Sequence, residues 1–311
     1  MAVEVVFQDH REDADLNKVR LPVVWVEYGG KTLCYDMLDG YLNPPAMLHW
    51  LSRCDVYFKR SYREDLNAVL LASSPKIRPL GFNYFLSWPG NPLNDGFWRR
   101  LAKRFLGHAS RDQFTIRSYE CSPNRMSRSE EMRVLYWARL WEPQAGLSAE
   151  EAAQREAANS MRLEIVKCLK EAFGSRFLGG LADTPLARDR ADSSLLCPPE
   201  LAEKGRYLAT VKHCDICVAT EGLHRSNGWK IAEYIAASRA IVSQELFYAV
   251  PGDFLPGQNY LPFRTPRECV ECVERLLSNP VMIDRMQMAN HRYYEAFLAP
   301  IPFVQRTLET L

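Results

Sequence analysis

Apolar positions recur along this chain with two alternating periods. Short runs rich in β-branched and aromatic residues, VEVVF (3–7), PVVWVEY (22–28), KTLCYD (31–36) and DVYFKRSY (55–62), read as strands. Between the last two, PPAMLHWLSRC (44–54) has helical spacing and begins at proline, a favoured first helical position. The aromatic stretch 76–95, punctuated by Pro and Gly, predicts loop, and a helix follows from about Gly96 to Gly107. Residues 118–131 are polar and carry no apolar period, which makes them the expected domain boundary. Beyond them the alternation is more regular: strand 132–140, a long helix from about Ser148 to Phe173, strand 176–180, helix 199–213, strand 215–220, helix 228–238, strand 240–244, a short strand near 259–263 and three further helices. Strands interleaved with helices of this length imply βαβ crossovers, hence an α/β fold with parallel strands and helices on both faces, a Rossmann-like layer.

Composition narrows the class. A length of 311 residues suggests two domains with a cleft between them, and 47% apolar and 25% charged residues are ordinary globular values. The formal charge of +1, from 39 basic and 38 acidic side chains, argues against a protein that holds nucleic acid by bulk electrostatics and disfavours nucleic acid as an acceptor. No window approaches the roughly 20 apolar residues of a membrane span, and the first residues lack a secretory pattern, so a cytoplasmic location is expected. One basic amphipathic segment, 97–108, sets Trp98, Leu101 and Phe105 beside Arg99, Arg100, Lys103 and Arg104. It leaves open a peripheral contact with an anionic membrane or an acidic polymer, against the favoured reading of a core helix with a solvated basic face. Nine cysteines fit reduced thiols. The pairs Cys214/Cys217 and Cys269/Cys272 have zinc-like spacing but fall in a strand-like and a helix-like segment, which favours buried thiols over a metal.

Ligands of open parallel sheets bind beyond the carboxyl ends of the strands. The loop after strand 215–220 carries Glu221, Gly222, Leu223, His224, Arg225, Ser226, Asn227, Gly228, Trp229 and Lys230, and opens a helix. Ser226 or Asn227 is expected as N-cap, and the free amides of the first turn, the positive end of the helix dipole and Lys230 together form an expected anion site. His224 and Arg225 precede that turn. Glu233, three residues after Lys230, shares its face and suits ribose hydroxyls. The competing reading is a capped helix with a solvated Lys/Glu pair. No GxGxxG follows a strand, which counts against a dinucleotide oxidoreductase.

The run EGLHRSNGWKIAEYIAASRAIVSQEL, followed by PGDFLPGQNYLPF, resembles the C-terminal half of GT-B type glycosyltransferases of the group 1, family 4-like class, whose helix-opening segment carries a Glu-x7-Glu motif. VLYWARLWEP is similar to the first strand of that domain, and CDVYFKRSY and KIRPLGFNY extend a weaker resemblance into the first half. The resemblance implies an N-terminal acceptor-side domain (1–125), a C-terminal nucleotide-sugar-binding domain (126–285) and terminal helices (286–311) that pack back toward the first. It implies transfer of a sugar from a nucleotide diphosphate sugar to an acceptor hydroxyl on a glycan, lipid-linked or other acceptor, with no metal or other cofactor. Glu233 then matches the ribose-binding glutamate, Arg139 a diphosphate contact, and Glu221 the glutamate near the transferred sugar, although eleven residues instead of seven separate the two glutamates. An inverting reaction also needs a base; Asp9 and His10, directly after strand 3–7, are the candidates, and a retaining route without one stays open. Lys59 and Arg60 end strand 55–62 and are expected either to meet an anionic acceptor or the donor phosphates, or to be solvated; Asp36 and Asp39 read as turn residues. A non-catalytic nucleotide-sugar-binding or scaffold protein is the alternative.

Overall fold

A computed structural model of the chain describes residues 23–41, 44–71, 76–88, 114–123 and 131–310. The expected strand 3–7, the candidate bases Asp9 and His10, and the basic segment 97–108 lie outside them.

The first sheet has four strands in spatial order β1 (Val23–Tyr28), β2 (Lys31–Asp36), β3 (Val56–Lys59), β4 (Ile77–Pro79). Gly29 and Gly30, both at positive φ, close a two-residue turn of the kind whose twist suits a hairpin, so β1 and β2 pair antiparallel; the expectation of purely parallel strands fails here. β2, β3 and β4 are parallel. β4 falls in the stretch expected to be loop, because three residues ending in proline at a sheet edge leave almost no periodic signal. Helices α1 (Pro44–Ser52) and α2 (Glu64–Leu70) connect these strands.

The second sheet holds β5 (Val134–Ala138), β6 (Phe177–Leu181), β7 (Ile216–Ala219), β8 (Ala240–Gln244) and β9 (Leu261–Phe263), all parallel, in spatial order β6-β5-β7-β8-β9. Alternate residues of β5 enter different cores. Val134, Tyr136 and Ala138 pack with Ile165, Val166, Leu169 and Phe173 of the long helix, whereas Leu135 packs with Ile231 and Ile235 on the other face. Strands buried on both faces explain why these segments read as continuous apolar runs. The fold is α/β with a smaller first layer, as expected.

The helices around this layer begin with a short α3 (Ile116–Tyr119) and the long α4 (Ala149–Phe173). Ser148 and Glu151 form a capping box at the start of α4. α5 (Pro185–Arg190) follows β6. The helix expected over 199–213 is two, α6 (Pro199–Ala202) and α7 (Lys204–His213), broken at Glu203, whose backbone is extended. Next come α8 (Trp229–Ala236), α9 (Pro266–Leu277), α10 (Pro280–Tyr293), a π-helical turn over Tyr294–Leu298, and α11 (Pro300–Leu308).

The two layers share contacts. Phe82 and Tyr119 are buried in the core of the second, and Cys121 donates its amide to Ala236 O at 3.3 Å. From the other end of the chain, Phe303 and Leu308 of α11 pack on Leu33, Phe58 and Leu80 of the first. Among the described residues no helix is long and apolar enough to cross a membrane.

Candidate functional site

The second sheet reverses direction of growth between β5 and β7, with β6 on one side and β8 and β9 on the other. Such a switch point leaves a crevice beyond the carboxyl ends of the two strands. Arg139 follows β5 and Glu221 lies two residues beyond β7, so the topology brings both to this place. A third residue joins them. Arg162, from the middle of α4, donates to Arg139 O at 2.6 Å and Glu221 O at 3.2 Å and so spans the crevice floor. Sequence reasoning missed Arg162, since no motif surrounds it; the available signal was an arginine set among Met161, Leu163 and Ile165, residues of the core-facing stretch. The Arg139 side chain itself is exposed.

The loop from Glu221 to Gly228 has one tightly constrained shape. His224 and Arg225 both take left-handed φ, 55° and 58°, which is costly for non-glycine residues and persists where surroundings fix it. Here Gln154 Oε1 accepts from His224 N at 3.1 Å, and Tyr248 Oη donates to His224 O at 2.9 Å. A Cβ on Gly222 would stand 2.4 Å from Ser226 Oγ, so a larger residue there would force the buried Ser226 hydroxyl to turn away. The N-cap of α8 is Gly228, with no side-chain cap; Ser226 and Asn227, expected in that role, are instead buried in the loop. Ser226 bonds within it through its backbone, and Asn227 Nδ2 donates to Tyr248 O at 2.9 Å. Ile231 N bonds to Gly228 O at 3.1 Å, and no side chain caps the amides ahead of it at the start of α8.

Lys230, in the first turn of α8, is half-buried with its ammonium 4.4 Å from the centre of the Trp137 ring. Burial pushes its pKa down to about 7, and the positive charges of Arg162 and Lys204 push the same way, against an upward pull from Glu233. Glu233 is buried and its carboxylate is bonded to the ammonium of Lys204, which also lies over the rings of Tyr119 and Tyr207. The competing reading of a solvated Lys/Glu pair thus fails in both parts: Lys230 is held against an indole, and Glu233 pairs with a lysine from another helix. Burial raises the pKa of Glu221, and the charges of Arg225, at 3.6 Å, and Arg162 pull it back.

Neither expectation for Lys59 holds. Lys59 and Asp36 pair at 2.8 Å with both side chains fully buried, and Tyr57 Oη donates to the same carboxylate at 2.7 Å. An ammonium so enclosed reaches neither solvent nor phosphate. Asp36 does make the expected turn contact, accepting from Leu38 N at 2.8 Å. Arg60 is also buried, bonded to Asp39 and, at 2.8 Å, to the carbonyl of Asn227 in the second layer. Of the paired cysteines, Cys214 and Cys217 lie at the end of α7 and in β7, and Cys269 and Cys272 lie in α9. Among the described residues no three His, Cys, Asp or Glu side chains gather as a metal site.

No protein-family model matches the chain, and no curated protein matches it. Solved structures do. The C-terminal domain of a glycosyl transferase group 1 family protein, LpcC from Francisella tularensis, is similar over 58% of this chain and 96% of its own, at 11% identity and a TM-score of 0.39. Sucrose-phosphate synthase from Thermosynechococcus elongatus is similar over 86% of this chain and 60% of its own, at 14% identity and a TM-score of 0.47. HepE from Anabaena, solved in complex with UDP, is similar over 88% of this chain and 70% of its own, at 10% identity and a TM-score of 0.48. The chain thus spans less than two thirds of the length of sucrose-phosphate synthase.

Proposed function

We propose that the chain is a metal-independent glycosyltransferase that takes its sugar from a nucleotide diphosphate donor seated in the crevice between β5 and β7. The observation that carries this reading is the positive charge gathered beside the crevice: Lys230 is held half-buried in the first turn of α8, and Arg162 on the crevice floor bonds, among the described residues, to the carbonyls of Arg139 and Glu221. As the anomeric bond breaks, negative charge gathers on the leaving diphosphate. Fixed cations and helix-end amides stabilise that charge more than the ground state, which lowers the barrier. Lys230, Arg162 and Arg139 take this role, the start of α8 presents its uncapped amides, and Glu233 receives the ribose hydroxyls once Lys204 yields or shares its carboxylate. His224, Arg225 and Glu221 lie toward the transferred sugar.

A second reading, a donor-binding protein without transferase activity, rests on the first layer: Asp36, Lys59, Asp39 and Arg60 at its strand ends are engaged with one another. The two differ in turnover. A thermal-shift screen with UDP, GDP, TDP, ADP and CMP, followed by transfer and hydrolysis assays on the matching nucleotide sugars with and without EDTA, decides between them. The transferase reading expects a stabilising diphosphate and EDTA-resistant sugar release. Stabilisation without release favours the binding protein, and no shift with any of the five nucleotides rejects both.

A further inference from the structure

The donor-side loop is held from outside its own layer. Arg60, 4% exposed, sends one guanidinium nitrogen to Asp39 and the other 2.8 Å to Asn227 O, the carbonyl directly ahead of the α8 N-cap. Its guanidinium carbon is 5.6 Å from the ring centre of Trp229, the first residue of α8. Three further contacts surround this one. Ala249 N donates to Tyr62 O at 2.9 Å in an antiparallel bridge between the layers. The ring of Phe247 lies between two guanidinium groups, Arg63 of the first layer at 3.9 Å and Arg225 of the loop at 3.8 Å. Gly40 approaches so closely that a Cβ there would stand 3.0 Å from His224 Cβ. The two left-handed residues of the loop therefore sit between these anchors, with His224 bonded to Gln154 and Tyr248 of the second layer and packed against Gly40 of the first.

We infer that Arg60 is a positioning residue: it touches no ligand, and it sets the donor-side loop by fixing the Asn227 carbonyl, so that docking of the first layer and occupancy of the crevice are coupled. The inference rests on the proposed donor reading for the identity of the ligand, but the coupling itself concerns this chain alone. Coupling of this kind is reciprocal, so a diphosphate that requires the loop in this shape also tightens the docking of the two layers.

The test compares wild type with Arg60→Gln, Arg60→Lys and the control Arg188→Gln, which removes an exposed pair with Asp183. Two readouts are taken, hydrogen exchange of the amides in 221–228 and 247–249, and affinity for UDP or whichever of GDP, TDP and ADP shifts wild type most. Arg60→Gln is expected to speed exchange in those two segments, to weaken the diphosphate by about tenfold, as the loss of a hydrogen bond from a charged donor implies, and to lose the protection that the ligand adds at 247–249. Arg60→Lys, which keeps the charge but not both donor arms, recovers part of each effect; Arg188→Gln changes neither. A folded Arg60→Gln protein with wild-type exchange in 221–228 overturns the inference, as does a loss of protection spread evenly over the chain. If wild type binds none of the four diphosphates, the donor reading fails and the exchange result alone judges the coupling. Should Arg60→Gln not fold, Asp39→Asn replaces it, with the same outcomes required.

Discussion

The carboxyl ends of the parallel strands treat charge in opposite ways in the two layers. At the ends of β2 and β3, Asp36 and Lys59 face each other in register and neutralise each other out of contact with water, with Tyr57 and Leu38 supplying the remaining bonds to the carboxylate. At the ends of β5 and β7, Arg162 bonds to two carbonyls and Lys230 rests on an indole. The first arrangement is closed: every charge has its counterpart, and breaking it exposes a buried ion. The second is open: among the described residues neither Arg162 nor Lys230 forms an ion pair, although Glu221 and Glu233 lie near them. On the proposed donor reading, stability resides in one set of strand ends and ligand affinity in the other.

Removing one member of the closed set is the harshest way to break this comparison. Asp36→Asn strands a buried ammonium, and chemical denaturation is expected to show a loss of about 3–5 kcal/mol. Thermal shift by the favoured nucleotide persists in that variant wherever it remains folded. Next in size is Lys230→Met, whose effect falls on affinity: calorimetry is expected to show diphosphate binding weakened by about tenfold or more, in line with the loss of a charge-assisted bond, with no loss of stability near pH 6.

The pH dependence sharpens the same point. With the Lys230 pKa near 7 in the folded chain and near the ordinary lysine value unfolded, the unfolded chain binds more protons between those limits. Stability contributed by this group therefore rises from about pH 7 toward pH 10, while diphosphate affinity falls over the first part of that window as the ammonium is lost. Unfolding and calorimetric titrations across pH 6–9 check both slopes, and Lys230→Met flattens both. The smallest effect belongs to Arg225→Gln, which removes a partly exposed ion pair with Glu221 and is expected to cost about 1 kcal/mol in denaturant.

The second layer was largely legible in the sequence because its strands are buried on both faces and its helices announce their starts, as Ser148 does with Glu151. The switch-point loop could be found for the same reason. Strand β4 could not, being three residues long; the antiparallel turn of the first sheet was overlooked, although Gly29-Gly30 between two strand-like runs is a hairpin signal. Among the candidate site residues, Lys230 and Glu233 stood out from a helix opening after a strand. Their partners were not. Trp137, Lys204 and Arg162 come from β5, α7 and α4, and only tertiary packing brings such distant positions to one crevice. Lys59 misled for a related reason: a lysine at a strand end resembles a phosphate ligand until its opposite neighbour in the sheet, Asp36, is known.

Helix α11 has a consequence for the order in which the molecule assembles. Phe303 and Leu308 complete the apolar packing around Leu33, Phe58 and Leu80, Arg306 Nη2 donates to Leu80 O at 2.7 Å, and Tyr35 Oη meets Thr307 Oγ1 at 2.9 Å. These partners lie more than 220 residues apart in the chain. During synthesis the first layer emerges early but lacks one wall until residue 308 has left the ribosome, whereas the second can gather most of its own core before then. Contacts of such range close slowly, so the smaller layer, although first in the sequence, is the last to reach its native packing.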